Sequence, residues 1–294
     1  MWRKASIGLY LMFCVAGVQA QPDMLVEAFK KYQEGSLNEA RALVDETVTL
    51  PQHAVNAEAW LLRGFVYKDL FKEGNGEGHP ELREVAMESL EKCLELDTAE
   101  LFRENANKAY DFLARTYFND AARALNEMDP ERAEGNYAKF SDAIRRMGKE
   151  GELTVKDVEF NNALGTVYTK LYNQDREAVA WYDRAVATFK RVLELDRDNY
   201  GANYNLATLF YNRGVFNIQR IGAHSDIPSI QRIQEVSREF FLDALPYMLK
   251  AFEMNPSRRE TLLGLEGIYY SLQDPERSEH YRRLYEQLGP EEGR

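Results

Sequence analysis

The sequence predicts an all-α protein, an α-solenoid of about six antiparallel helical hairpins, and three observations predict it. Apolar residues recur at i, i+3, i+4 and i+7 through most of the chain, the spacing that gives a helix one buried face. Small and aromatic residues return in the same columns, as in Trp60, Gly64 and Tyr67, then Tyr110, Leu113, Ala114 and Tyr117, then Asn161, Leu164, Gly165 and Tyr168. Each such helix is followed by a second one with small or apolar residues at a four-then-three spacing. A pair of short amphipathic helices cannot bury both apolar faces alone, so successive pairs must stack.

Taken in order, the units are residues 24–51, 57–98, 103–147, 158–196, 200–256 and 261–288. In the first, Ala40, Val44 and Thr47 precede Pro51; in the second, Ala86, Leu90 and Cys93 precede Asp97. Asp129-Pro130 marks a helix start in the third, ahead of Ala133, Tyr137 and Phe140. Ala185, Phe189 and Val192 close the fourth before Asp196. In the fifth, Asn203, Leu206, Ala207 and Phe210 lead to Gly214, read as a helix C-terminal glycine, and Ala244, Met248 and Ala251 precede Pro256. The last copy is marked by Leu263, Gly267 and Tyr270.

The small column of Gly64, Ala114, Gly165, Ala207 and Gly267 is expected to let the second helix approach closely. The aromatic column of Tyr67, Tyr117, Tyr168, Phe210 and Tyr270 is expected to fill the space between neighbouring pairs. Two segments interrupt the pattern. Gly74 through Pro80 is rich enough in glycine to force a loop, and residues 217–235 contain Gly222 through Pro228 before a continuation that reads as helical.

On these residues the chain resembles the tetratricopeptide-repeat family over nearly all of 24–288. That resemblance implies a right-handed superhelix whose first helices line a concave groove that grips extended peptides or partner helices. Carried over by position, the groove contains Leu25, Phe29 and Tyr32, then Leu61, Phe65 and Lys68, then Lys108, Asp111, Arg115, Phe118 and Asn119, then Asn162, Thr166 and Thr169. The fifth copy adds Tyr204, Asn205, Thr208, Tyr211 and Asn212, which alternate aromatic surface with amide groups suited to a peptide backbone. Partner binding is assigned to Phe65, Arg115, Phe118, Asn162 and these five. An alternative is that the 217–235 insertion folds back and makes them an internal polar interface.

Composition narrows the chemistry. With 37 basic against 48 acidic residues the net charge is -11, which repels phosphate backbones, so no nucleic-acid partner is expected. Trp2, Arg3 and Lys4 begin a basic start, residues 7–18 are almost wholly apolar, and Val18-Gln19-Ala20 offers a small-residue cleavage site, so residues 1–20 read as a secretory signal. The apolar run is too short to span a bilayer, which predicts an exported chain, most simply periplasmic, without a transmembrane span after cleavage. Phe13 before Cys14 disfavours lipidation there.

No catalytic constellation is visible: His53, His79, His224 and His280 are scattered, Cys93 sits in a packing column, and no phosphate-binding loop or nucleophile elbow occurs. The expectation is a protein without enzymatic activity, cofactor or metal, acting as a scaffold or adaptor for a protein or peptide in the cell envelope. An outer-surface glycan- or nutrient-capture protein built on the same repeats is the alternative.

Overall fold

The computed structural model describes residues 23–74, 79–222 and 226–289. The signal segment 1–20 with Cys14, residues 75–78 of the first interruption, and residues 223–225 of the second lie outside the described residues. Every element described is helical, as expected.

The chain forms two compact units, one ending at Leu113 and the other beginning at Ala114. The first contains α1 (Met24–Gln33), α2 (Leu37–Thr47), the single turn α3 (Pro51–Ala54), α4 (Ala57–Glu73) and α5 (Pro80–Leu96). The boundary falls inside α6 (Arg103–Asn126). The second unit continues with α7 (Pro130–Arg146), α8 (Leu153–Gln174), α9 (Val179–Leu195), α10 (Tyr200–Gln219), α11 (Ile227–Met254), α12 (Arg259–Ser271) and α13 (Pro275–Gln287).

Local chemistry sets the helix limits. The side chains of Asp23, Asn56, Asp129, Asn199, Asp226 and Asp274 each accept a backbone N–H in the first turn of the helix they precede. Pro51, Pro80, Pro130 and Pro275 occupy first-turn positions, where no N–H is needed. The turns of α1/α2, α6/α7 and α12/α13 share one device, a left-handed residue two positions before the next helix: Gly35 (φ 77°), Met128 (φ 62°) and Gln273 (φ 61°).

Packing follows the repeat columns. A Cβ on Gly64 of α4 would meet Leu90 of α5 at 2.7 Å, and one on Gly165 of α8 would meet Phe189 of α9 at 2.8 Å. Both contacts join helices that run in opposite directions. Tyr67, Tyr117, Tyr168 and Phe210 are buried as the aromatic column requires.

Three expectations are corrected. Tyr270 is 76% exposed while its neighbour Tyr269 is 6% exposed and stacks on Tyr281 at 5.6 Å, so Tyr269 is the packing ring of the last pair. Gly267 faces the Tyr211 hydroxyl, and Gly264 is the close-approach glycine, against Met248. Gly214 lies inside α10, pressed on Phe241, because the helix continues five residues beyond it. The 217–235 segment is accordingly built largely as helix: it lengthens α10 to 20 residues and opens the 28-residue α11.

Pairs of tyrosine and carboxylate tie successive hairpins together. Tyr32 donates to Asp69 at 2.6 Å, Tyr67 to Asp45 at 2.7 Å, Tyr110 to Glu91 at 2.6 Å, Tyr137 to Asp157 at 2.5 Å and Tyr168 to Glu134 at 2.9 Å. Burial first, and the carboxylate partner second, push the phenols of Tyr32, Tyr67, Tyr137 and Tyr168 above their ordinary range.

Candidate binding surface

In the first unit, a cleft of 330 Å³ opens between α1 and α4. Its walls are Leu25, Val26, Phe29 and Tyr32 from α1 and Leu61, Leu62 and Phe65 from α4, with Phe102 also contributing and Asp23, Asn56 and Glu58 as its polar lining. The buried face of α1 is occupied by Leu25 and Ala28, so Val26 and Phe29 extend the apolar arc beyond what the hairpin covers. They are 62% and 49% exposed. Their side chains add exposed apolar surface beside the cleft. Tyr32 is held by its bond to Asp69, which anchors this wall of the cleft to α4.

A second cavity of 310 Å³ adjoins through the shared ring of Phe65, lined by Lys68, Lys72, Asn105, Lys108, Ala109 and Phe112. Lys68 Nζ stands 4.7 Å over the Phe65 ring and Lys72 Nζ 5.8 Å over Phe112. Asp69 lies 3.2 Å from Lys68 and 3.8 Å from Lys72, and Glu104 pairs with Lys108 at 2.5 Å. A mainly apolar trough thus adjoins one edged by three lysines, of which Lys68 and Lys72 share the single carboxylate of Asp69 and Lys108 is paired with Glu104. Phe29, Tyr32, Leu61, Phe65, Lys68 and Lys108 are legible in the sequence as groove positions. Val26, Lys72 and Phe112 are not, although the i, i+3 pair of Val26 and Phe29 beside the core pair Leu25 and Ala28 is a visible signal of an over-wide apolar arc.

The other assigned residues lie in the second unit and serve varied purposes. Arg115 pairs with Glu152 at 3.0 Å. Phe118 packs on Phe140 at 5.2 Å and lies under Lys156 Nζ at 4.3 Å. Asn162 donates to Asn199 Oδ1 at 3.2 Å, the same oxygen that caps α10, and so joins one hairpin to the next. Tyr204, Asn205, Thr208, Tyr211 and Asn212 share one half-buried face of α10. Within that face Tyr204 stacks on Tyr200 at 6.0 Å, and Tyr211 packs between Phe241 and Gly267. Phe241 of α11 supplies one ring contact to Tyr211.

Cys93 is fully buried, and burial raises its thiol to about 11. Among the described residues there is no group of three or more His, Cys, Asp or Glu able to hold a metal ion. No helix there is long and apolar enough to cross a membrane.

No protein-family model matches the chain, and no curated protein matches its sequence. Among solved structures it is similar to PilF of Pseudomonas aeruginosa, at 14% identity and a TM-score of 0.38 over 91% of each chain. It is also similar to YrrB, described as a TPR protein with an unusual peptide-binding site, at 16% identity and a TM-score of 0.37 over 85% of this chain and 93% of that one. A human IFIT1 dimer with m7Gppp-AAAA is similar at 13% identity and a TM-score of 0.36 over 91% and 68%.

Proposed function

We propose that the protein is a scaffold or adaptor without enzymatic activity that binds a protein partner through the first-helix face of its hairpins. The observation that carries this reading is the apolar cleft between α1 and α4, with Val26 and Phe29 left exposed at its wall. A cleft lined mainly by aromatic and aliphatic side chains, with Asp23, Asn56 and Glu58 as its polar lining, suits one or two large apolar anchors of an extended peptide or partner helix. Lys68 and Lys72 share the one carboxylate of Asp69, and the positive charge left over beside the cleft favours an acidic residue following the anchor. In this reading the secretory signal at residues 1–20 delivers the protein to the cell envelope, where the partner resides.

The test is selection of peptides from a displayed random library against the full chain lacking residues 1–20, followed by fluorescence anisotropy. The reading expects selected peptides to carry a large apolar residue near acidic ones and to lose roughly tenfold or more in affinity with Phe29→Ser. Failure to select any binder, or binders indifferent to Phe29→Ser in a variant of unchanged circular dichroism, would overturn it.

A further inference from the structure

The helical extension of α10 and α11 encloses a cavity of 570 Å³ whose two walls are chemically mismatched. On α10, Arg213, Asn217 and Arg220 recur at i, i+4 and i+7 and form one polar stripe. On α11, Ile233, Val236 and Phe240 recur at i, i+3 and i+7 and form an apolar one, with Arg232 beside it. Facing stripes of two paired helices ordinarily share their polarity, so that they close-pack. These two stand apart around an open space.

The guanidiniums are held in place but poorly neutralised. Arg213 donates to the Tyr172 hydroxyl at 2.8 Å and to the Arg176 carbonyl at 3.2 Å, both neutral oxygens. Arg213 and Arg220 each lie 5.7 Å from the Phe216 ring centroid, so both guanidiniums engage the same ring. Arg220 pairs with Glu177 at 3.5 Å, and among the described residues Arg232 has no ion-pair partner. Next to them, Arg176 stacks over the same Tyr172 ring that Arg213 engages, and its buried Nη1 lacks a hydrogen-bond partner. In a chain of net charge -11, four guanidiniums gathered against one paired carboxylate invite an anion. Arg213 and Arg176 are half-buried, and a guanidinium taken partly out of water without a carboxylate gains from a ligand that supplies an acceptor.

We propose that this cavity binds a small phosphate monoester carrying an aromatic or aliphatic group. Several guanidinium forks match the multiple oxygens and the double charge of a phosphomonoester better than they match one carboxylate. The organic part lies against Ile233, Val236 and Phe240, which would otherwise face water. This assignment is independent of the peptide surface on α1 and α4.

Isothermal titration calorimetry on the full chain lacking residues 1–20 tests it with three probes: phenyl phosphate, inorganic phosphate and benzoate. Phenyl phosphate is expected to bind roughly tenfold or more tightly than either of the others, since only it satisfies both walls. Because Arg213 is packed into the hairpin, the deciding variant is Arg232→Ser, at an exposed residue whose loss leaves the fold intact. It is expected to weaken phenyl phosphate roughly tenfold, with helicity unchanged. Absence of phenyl phosphate binding, equal affinity for all three probes, or an Arg232→Ser variant that binds as well as the parent each overturns the proposal.

Discussion

Gly64 lies so close under Leu90 that a Cβ added to the glycine would stand 2.7 Å from the leucine Cγ, with the Ala86 carbonyl at 3.4 Å behind it. The hairpin of α4 and α5 therefore closes on the absence of a side chain. Gly64→Ala is expected to destabilise by about 1–3 kcal/mol, since fully buried Leu90 must shift to admit the Cβ. Gly135→Ala supplies the control. That glycine lies in the interior of α7, where an added Cβ would meet nothing within 4 Å, so its replacement is expected to stabilise by about 0.5–1 kcal/mol through helix propensity. Urea unfolding followed by circular dichroism separates the two.

The left-handed turn residues make a second pair of predictions. Gly35 adopts φ 77° without steric penalty, but Gln273 adopts φ 61° with a Cβ that crowds its own carbonyl. Gln273→Gly is expected to raise stability by about 0.5–1 kcal/mol despite the larger chain entropy of glycine. Gln273→Val is expected to lower it, because a β-branched side chain is still less compatible with that region. Thermal unfolding of the two variants tests the ordering.

The tyrosine and carboxylate pairs predict alkaline sensitivity. The phenols of Tyr32, Tyr67, Tyr137 and Tyr168 ionise near 10 when unfolded and higher when folded, Tyr168 at about 12. The neutral phenol therefore contributes stability that is complete below pH 10 and is lost as pH rises through the folded value. Urea midpoints are expected to hold up to about pH 10 and to fall between about pH 10 and pH 12. Tyr168→Phe, which removes one such group, is expected to reduce the fall while costing roughly 1 kcal/mol at pH 7 through the lost bond to Glu134.

Cys93 is expected to be inert in the folded protein. Its thiol is buried and its ionisation is pushed up to about 11, so a thiol-specific reagent at pH 8 should leave it unmodified until denaturant is added. Rapid modification under native conditions would show that α5 opens far more readily than its packing implies.

Much of this fold is legible in the sequence because stacking imposes a strict periodicity: Gly64 and Leu90, or Gly165 and Phe189, occupy columns that the chain repeats openly. The last hairpin departs from the sequence reading by a few residues because two glycines, 264 and 267, and two adjacent tyrosines, 269 and 270, offer competing alignments. Only the neighbours Met248 and Tyr211 decide between the glycines. The tyrosine and carboxylate pairs are invisible in the sequence, since partners such as Tyr168 and Glu134 are 34 residues apart and meet through tertiary packing. The cleft is partly legible, Phe29 and Phe65 by their place on first helices, whereas the arginines at 213, 220 and 232 look in the sequence like ordinary surface charges. Only the pairing of α10 with the extended α11 turns them toward one cavity.

Site-specific photocrosslinking tests the central claim most directly. A photoreactive p-benzoylphenylalanine is placed at position 29 in the α1 and α4 cleft, and separately at position 155, where Val155 is exposed on another helix. Irradiation with a selected, labelled peptide is expected to give a covalent adduct at 29, suppressed by excess unlabelled peptide, and none at 155. Equal crosslinking at both positions, or crosslinking at 155 alone, would contradict the assignment of the partner surface to the first-helix cleft.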